Sequence, residues 1–309
     1  MMFPLVLLAL SPLFAPDAGS DRLRELLKAA PELPVERVEL KVTPPVTFEK
    51  ISAITADKNG NIYVIHRPQN GDPIVVLDPQ GKFIRSWGKG MFELPHGIRI
   101  DPQGNVWTAD AHTSVIYKFT PEGKRLLEIS VGDIPAELPP NRNRTFCGAT
   151  DIGFAKGGNI FVTDGYCNSH VIEYDAAGKQ LRMWGDHGTG PGEFEVVHSV
   201  AIGPDGVVYI ADRENGRLQW FSQTGKFLGE RTYGGQFFSI AFGPKGEFYA
   251  AVHPKDAPLT SEFNVIRIDL ASGKILGKFE VPAHEIAVGP DGTLLPGTLN
   301  GQLVVLKPR

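Results

Sequence analysis

Residues 93–110, ELPHGIRIDPQGNVWTAD, hold two short apolar strands around a tight turn. Ile98 and Ile100 alternate with other residues, the D-P-x-G-N turn reverses the chain at Gly104, and Val106 and Trp107 lead to Asp110. Strand, glycine turn and strand read as a β-hairpin. The unit returns five more times, as ADKNGNIYV, AKGGNIFV, GPDGVVYI, GPKGEFYA and GPDGTLLP. The aligned glycines are Gly60, Gly104, Gly158, Gly206, Gly246 and Gly292, which stand 44, 54, 48, 40 and 46 residues apart. A second turn follows every unit but the last: DPQGKFI, TPEGKRL, DAAGKQL, SQTGKFL and LASGKIL. Each repeat is thus four short strands, a to d, and four strands at a period in the forties form one propeller blade. Six repeats predict an all-β, six-bladed β-propeller.

The last repeat ends after strand c at Arg309, so its outer strand is expected from the alternating N-terminal segment Arg37–Val42. Residues 36–309 make the propeller, and residues 19–35 are read as a linker with a short amphipathic helix over Asp21–Ala30. The composition agrees with one large β domain: 309 residues, 42% hydrophobic, with 35 Gly and 25 Pro. With 31 basic and 35 acidic residues, the net charge of −4 gives no support for a nucleic-acid partner. Residues 1–18 carry an apolar run from Phe3 to Ala15 followed by small residues, which reads as a signal peptide cut between Ala15 and Ala18. The run is short for a membrane span. No Lys or Arg precedes it, so an uncleaved anchor is the alternative. The expected location is secreted or periplasmic, with no membrane attachment after cleavage. Cys147 and Cys167 are the only cysteines. An even count in an exported chain favours a disulfide, with two free buried thiols as the alternative.

The tight a–b and c–d turns share one face of such a disc. The longer b–c and d–a connections, such as DHGTGPGEFEVV and VGDIPAELPPNRNRTFC, share the other, where a site is expected. Aligning the strand-a starts on their glycines puts Ser52, His96, Thr150, His198, Phe238 and His284 in one slot. Histidine fills it in repeats 2, 4 and 6, about 120° apart on a six-fold ring. Three converging imidazoles with an open fourth position describe a catalytic zinc site, and imidazole suits zinc better than calcium. Asp110, Asp164 and Asp212 recur at the ends of strands b and are read as turn caps. One residue on stand Arg67 and Arg213, and Tyr166 lies one further. Two arginines and a tyrosine beside a metal make a set for anion binding and proton transfer. His66, His112, His170, His187 and His253 form no comparable group.

FCGATDIGF, VTDGYCNSHVIEYD, MWGDHGTGPGEFEVVHSVAI and IADRENGRLQWF resemble the peptidyl-α-hydroxyglycine α-amidating lyases, the zinc-dependent propeller half of the peptide-amidating enzyme. The likeness runs from about Phe48 to Asn300, and the strand–turn pattern is that of the wider NHL-repeat group. The resemblance implies that His96, His198 and His284 hold zinc, one ion per chain. It implies that Tyr166 is the catalytic base, that Arg67 and Arg213 line the substrate site, and that Cys147 pairs with Cys167. It also implies a structural calcium beside the third histidine, where Glu285 stands in place of the usual Asp. Other departures are Pro282-Ala283-His284-Glu285 for Met-Pro-His-Asp, and His66-Arg67-Pro68 for His-Arg-Gly. A second cysteine pair falls at Tyr209 and Trp220.

The function this implies is a carbon–nitrogen lyase. It would cleave a small-molecule or peptide substrate ending in α-hydroxyglycine to a primary amide and glyoxylate. An oxygenase acting in trans would supply that substrate. Two alternatives remain: a non-enzymatic NHL propeller that binds a protein or glycan, and another metal-dependent propeller hydrolase.

Overall fold

The structure, a computed structural model, describes residues 18–309 except 134–136, 139–141 and 143–144. The expected signal peptide lies almost wholly outside the described residues. Six four-stranded antiparallel sheets follow one another in chain order, as the repeats predict. Their inner strands a are Ala53–Ala56, Pro95–Ile100, Ala149–Phe154, Val197–Ile202, Gln236–Phe242 and Glu285–Val288. Burial falls from the axis outward. In the second blade strand b (Val106–Asp110) is buried throughout, whereas strand d (Arg125–Ser130) is mostly exposed. The blades are joined by apolar layers between neighbouring sheets. Trp107 and Ile116 of blade 2, for example, pack with Ile152, Ile160 and Val162 of blade 3.

The last blade is completed from the other end of the chain. Val35–Glu39 lies antiparallel to Val304–Pro308, in register from Val35 with Pro308 to Glu39 with Val304. The expected strand, Arg37–Val42, starts two residues late and runs too far. Leu40 N still donates to Leu303 O, and the residues beyond it pass to blade 1, where Thr43 N donates to Gly81 O and Phe83 N to Thr43 O. The N-terminal helix spans Ala18–Ala29 and buries Leu23 and Leu27 against Tyr233, Phe237 and Val252. Arg24 ties it to Asp256 and Glu262 of blade 5. The helix is therefore part of the propeller's packed body.

Candidate metal centre and active site

The slot that aligns in the sequence is a distinct place in each blade. The a–b pairing skips one residue between Pro95 and Gly97, Ala149 and Asp151, Val197 and Ser199, and Phe237 and Ser239. The skipped residues are His96, Thr150, His198 and Phe238. A β-bulge leaves one residue outside the ladder and re-aims its side chain; here it aims at the axis. Ser52 and His284 stand just before the first ladder residue of their blades.

The three imidazoles meet at the axis, with ring centroids 4.7 to 5.0 Å apart. Even blades supply the imidazoles and odd blades supply the carbonyls that hold them. His96 Nδ1 lies 2.9 Å from Thr150 O, His198 Nδ1 2.6 Å from Phe238 O, and His284 Nδ1 2.9 Å from Ser52 O. Each acceptor is the slot residue of the next blade around the ring. In return, Ser52 Oγ donates to Pro95 O and Thr150 Oγ1 to Val197 O, the carbonyls just before His96 and His198. Close approach of these segments needs glycine. A Cβ on Gly97 would stand 2.7 Å from Thr150 O, and one on Gly297 2.7 Å from Ser52 O.

A carbonyl only accepts, so each Nδ1 carries the proton and each Nε2 presents a lone pair. Burial, together with nearby Arg67, Arg213 and the other histidines, holds His96 and His198 well below the ordinary histidine value; burial and Arg67 bring His284 down to about 3. The rings are therefore neutral at pH 7. Tyr166 Oη lies 3.0 Å from His96 Nε2 and 3.2 Å from His198 Nε2, and one hydroxyl has one proton to give. Converging neutral nitrogens with their far side fixed by carbonyls are the donor set of a transition-metal site. Among the described residues, these three histidines form a cluster whose ligand atoms lie within 4.8 Å of one another. The residues present therefore fit a three-imidazole metal such as zinc.

The carboxylate expected to hold calcium already has a side-chain cation beside it. Directly below the ring, Arg99 Nη2 donates to Asp151 Oδ2 at 2.7 Å and to Glu285 Oε2 at 2.8 Å, while Nη1 donates to Ile286 O at 3.0 Å. Ser199 Oγ donates to Asp151 Oδ2 and Ser239 Oγ to Glu285 Oε2, while Glu285 Oε1 is buried without a hydrogen-bond partner. Burial lowers Arg99, but Asp151 and Glu285 more than offset that, and the guanidinium stays charged. Burial and the neighbouring Asp151 push Glu285 well above the usual carboxylate range, against the pull of Arg99. At Glu285, where the resemblance implies calcium, Oε2 is thus engaged by Arg99 and Ser239, and Oε1 lies 3.5 Å from His198 Nδ1.

Above the ring opens a pocket of about 480 Å³, lined by Arg67, Tyr166, Arg213 and His284, the group expected from the sequence. Arg67 Nε is anchored on Ser52 Oγ at 2.8 Å and Pro95 O at 3.2 Å. The Arg213 guanidinium sits 5.3 Å from the centre of the Tyr166 ring and 5.0 Å from that of Phe238, and pairs with Glu214. Protein groups alone do not depress Tyr166. Burial raises it, and Arg213 and Arg67 only oppose that rise. Two further cations, Lys50 and Arg142, line the pocket and escaped the sequence reading. Arg142 lies outside the strand pattern in a long connection, where it pairs with Glu195. Arg142 and Lys50 come from long connections, where repeat phase says nothing.

Tyr166 is held on both sides. A Cβ on the preceding Gly165 would lie 1.8 Å from Val197 O, so only glycine lets the turn sit there. The following Cys167 is disulfide-bonded to Cys147, which settles the choice between bridge and free thiols. Asp110 caps its turn as expected, accepting from the amides of Glu93, Leu94, His112 and Thr113. Asp212 accepts instead mainly from side chains, among them Arg217 Nε at 2.7 Å. Asp164 accepts from Asn168 and is pushed up to about 6 by burial. Tyr209 and Trp220 face each other across two strands with their rings 6.4 Å apart. His253 stacks on Phe263 away from the ring, and His66 accepts from Glu49 N.

Comparison with known proteins agrees with this architecture. The family model DUF5128, a 6-bladed beta-propeller, matches residues 147–287. The chain is 30% identical over 295 residues to peptidyl-glycine alpha-amidating monooxygenase A of Xenopus laevis, covering 82% of this chain and 31% of that one. It is 29% identical to peptidyl-alpha-hydroxyglycine alpha-amidating lyase 1 of Drosophila melanogaster, covering 80% and 55%. It is 28% identical to a probable lyase of the same name, pgal-1, of Caenorhabditis elegans, covering 83% and 81%. The chain spans about a third of the length of the amidating monooxygenases it matches. Among solved structures, a streptogramin B lyase superposes with a TM-score of 0.62 at 14% identity, over 89% of this chain and 98% of that one, a likeness of fold. The resemblance carried by the motifs thus extends along about four-fifths of the chain: it is similar to the peptidyl-α-hydroxyglycine α-amidating lyases and is built as a six-bladed propeller.

Proposed function

We propose that the protein is a zinc-dependent carbon–nitrogen lyase that splits an N-acyl-α-hydroxyglycine into a primary amide and glyoxylate. The observation that carries this reading is the ring of three inward Nε2 atoms with Tyr166 Oη 3.0 and 3.2 Å from two of them. The similarity to proteins named as amidating lyases supports the lyase class. His96, His198 and His284 would hold the ion, whose positive charge makes an oxygen beside it more acidic.

The chain's own residues divide the remaining work. Arg67, fixed through Nε, binds the substrate carboxylate with its terminal nitrogens. Arg213 lies over Tyr166 and favours the phenolate, against the burial that favours the phenol. Tyr166 Oη takes the proton of the substrate hydroxyl. The C–N bond breaks as the C=O of glyoxylate forms, and the bonding pair leaves on nitrogen. That nitrogen takes up one proton, so a single residue returning what it took balances the reaction. The substrate's α-hydroxyl calls for an oxygenase that hydroxylates the glycine α-carbon in a preceding step. The disulfide fits export to an oxidising compartment, secreted or periplasmic.

The test is elemental analysis of the purified protein combined with glyoxylate release from N-acetyl-α-hydroxyglycine. About one zinc per chain with release supports the reading; zinc without release removes the substrate assignment. Tyr166→Phe should keep its metal and lose about 10²–10⁴-fold in turnover. Undiminished turnover would remove Tyr166 from the proton path.

A further inference from the structure

The pocket above the histidine ring is chemically two-sided. Of its cations, Arg67, Arg142 and Arg213 come from the first four blades or the connections between them, and Lys50 from the segment that leads from the last blade into the first. On the side of blades 5 and 6 it continues into a second cavity of about 290 Å³, which shares Leu259, His284 and Leu299 with the first. The rest of that cavity is walled by Phe263, Pro282 and Ala283, with Thr260 and Asn300 as its other polar neighbours and no charged side chain. Phe263 is a fixed wall: it is buried, stacked on His253 with centroids 4.2 Å apart, and its carbonyl accepts from Val281 N.

Leu259 makes this cavity unlike the other apolar surface of the protein. It is 56% exposed, more than any other large apolar side chain among the described residues. The remaining exposed ones, Ile84, Leu126, Leu181, Met183, Leu228 and Leu276, all stand on outer strands d, where sheets end. Leu259 instead stands on the b–c connection of blade 5, between the two cavities. An uncovered leucine at the border of a charged pocket and an uncharged one marks the place where an apolar group is received.

We propose that this cavity is the acyl subsite, and that the protein selects α-hydroxyglycine amides whose acyl group carries an aromatic ring or a branched aliphatic group. The inference rests on the lyase reading for the substrate's other half: the carboxylate goes to the arginines, the reacting carbon to the ring, and the acyl group past His284 against Phe263, Leu259 and Leu299. Size agrees. A protein cavity of about 150 Å³ accommodates benzene, so about 290 Å³ accepts a phenyl or isobutyl group with a short tether. An acidic or basic acyl group would have to leave its charge unpaired against these walls.

The test compares N-(3-phenylpropanoyl)-, N-acetyl- and N-succinyl-α-hydroxyglycine by glyoxylate release. Binding of the corresponding N-acylglycines, which lack the hydroxyl and do not react, is measured by calorimetry. We expect the phenylpropanoyl compound to exceed both others by at least about tenfold in kcat/KM, and its glycine analogue to bind tighter by a similar factor. The Leu259→Ser/Leu299→Ser double variant should bring the phenylpropanoyl-to-acetyl ratio towards one, while Leu181→Ser on an outer strand leaves it unchanged. Equal kcat/KM for all three with normal glyoxylate release overturns the subsite and leaves the lyase reading standing. Release from none of them overturns the lyase reading, and the calorimetric ratio then decides the apolar subsite by itself.

Discussion

Replacing Arg99 with Met tests whether a side chain does the work of a cation beneath the histidine ring. In the wild type one guanidinium serves Asp151, Glu285 and the Ile286 carbonyl at 2.7, 2.8 and 3.0 Å, with both carboxylates fully buried. Methionine fills part of the volume and supplies no charge. Removing one partner of a buried ion pair costs about 3–5 kcal/mol, because the other charge is left without compensation. For a domain of this size that corresponds to a fall in Tm of about 6–10 °C, at roughly 2 °C per kcal/mol. The assay is urea unfolding and thermal melting, with and without 10 mM calcium. Wild-type stability should not respond to calcium or to its chelation. In the variant, two carboxylates and a carbonyl become available as oxygen ligands. If they bind calcium with a Kd near 0.1 mM, the 10 mM ion restores about 2.7 kcal/mol. Arg99→Lys, which keeps the charge and loses the fork, should fall between the two. A methionine variant within about 1 kcal/mol of wild type, or a wild type stabilised by calcium as much as the variant, would refute the reasoning.

Gly97→Ala puts a methyl group 2.7 Å from the carbonyl that holds His96 Nδ1. Zinc content after dialysis should fall well below one per chain while the far-ultraviolet spectrum is kept; full occupancy would mean that the carbonyl gives way freely. Asp164, with a folded value near 6 against about 4 for an ordinary aspartate, keeps a proton that the unfolded chain releases between those pH values. Stability from this group is therefore lost as pH rises from about 4 to 6 and stays lost above, by up to about 3 kcal/mol. Asp164→Asn should match wild type near pH 4 and exceed it at pH 8 in urea unfolding. Reducing the Cys147–Cys167 bridge should cost about 3 kcal/mol for a loop of this length, read as a lower denaturant midpoint, and should loosen Tyr166 beside it.

The blade pattern was legible because it is periodic. Each glycine turn has a fixed place, and a slot counted from it lands on one position at the axis. That is why His96, His198 and His284 could be brought together from spacing alone. The bulges that aim His96 and His198 were not legible, because a skipped ladder residue leaves no mark in composition. The carbonyls of Ser52, Thr150 and Phe238 were equally hidden, since every residue has one. Arg99 lies three residues beyond His96 on a strand, where an arginine ordinarily points to solvent. It is held inside because Asp151 and Glu285 pair with it from other blades. Lys50, Arg142 and Leu259 sit in connections whose lengths vary from repeat to repeat, and no period carries information there.

The pairing of residue 35 with residue 308 also sets the order in which the molecule can be finished. During synthesis, Val35–Glu39 emerges before any blade, and its partner strand Val304–Pro308 follows more than 260 residues later. At 5–20 residues per second, the early strand waits roughly 15–55 s with its edge unpaired. His284, the last of the three ring histidines, belongs to the same late blade. The three histidines therefore come together only after blade 6 has been made and the ring shuts. For that whole interval the orphan strand has to be kept from pairing elsewhere.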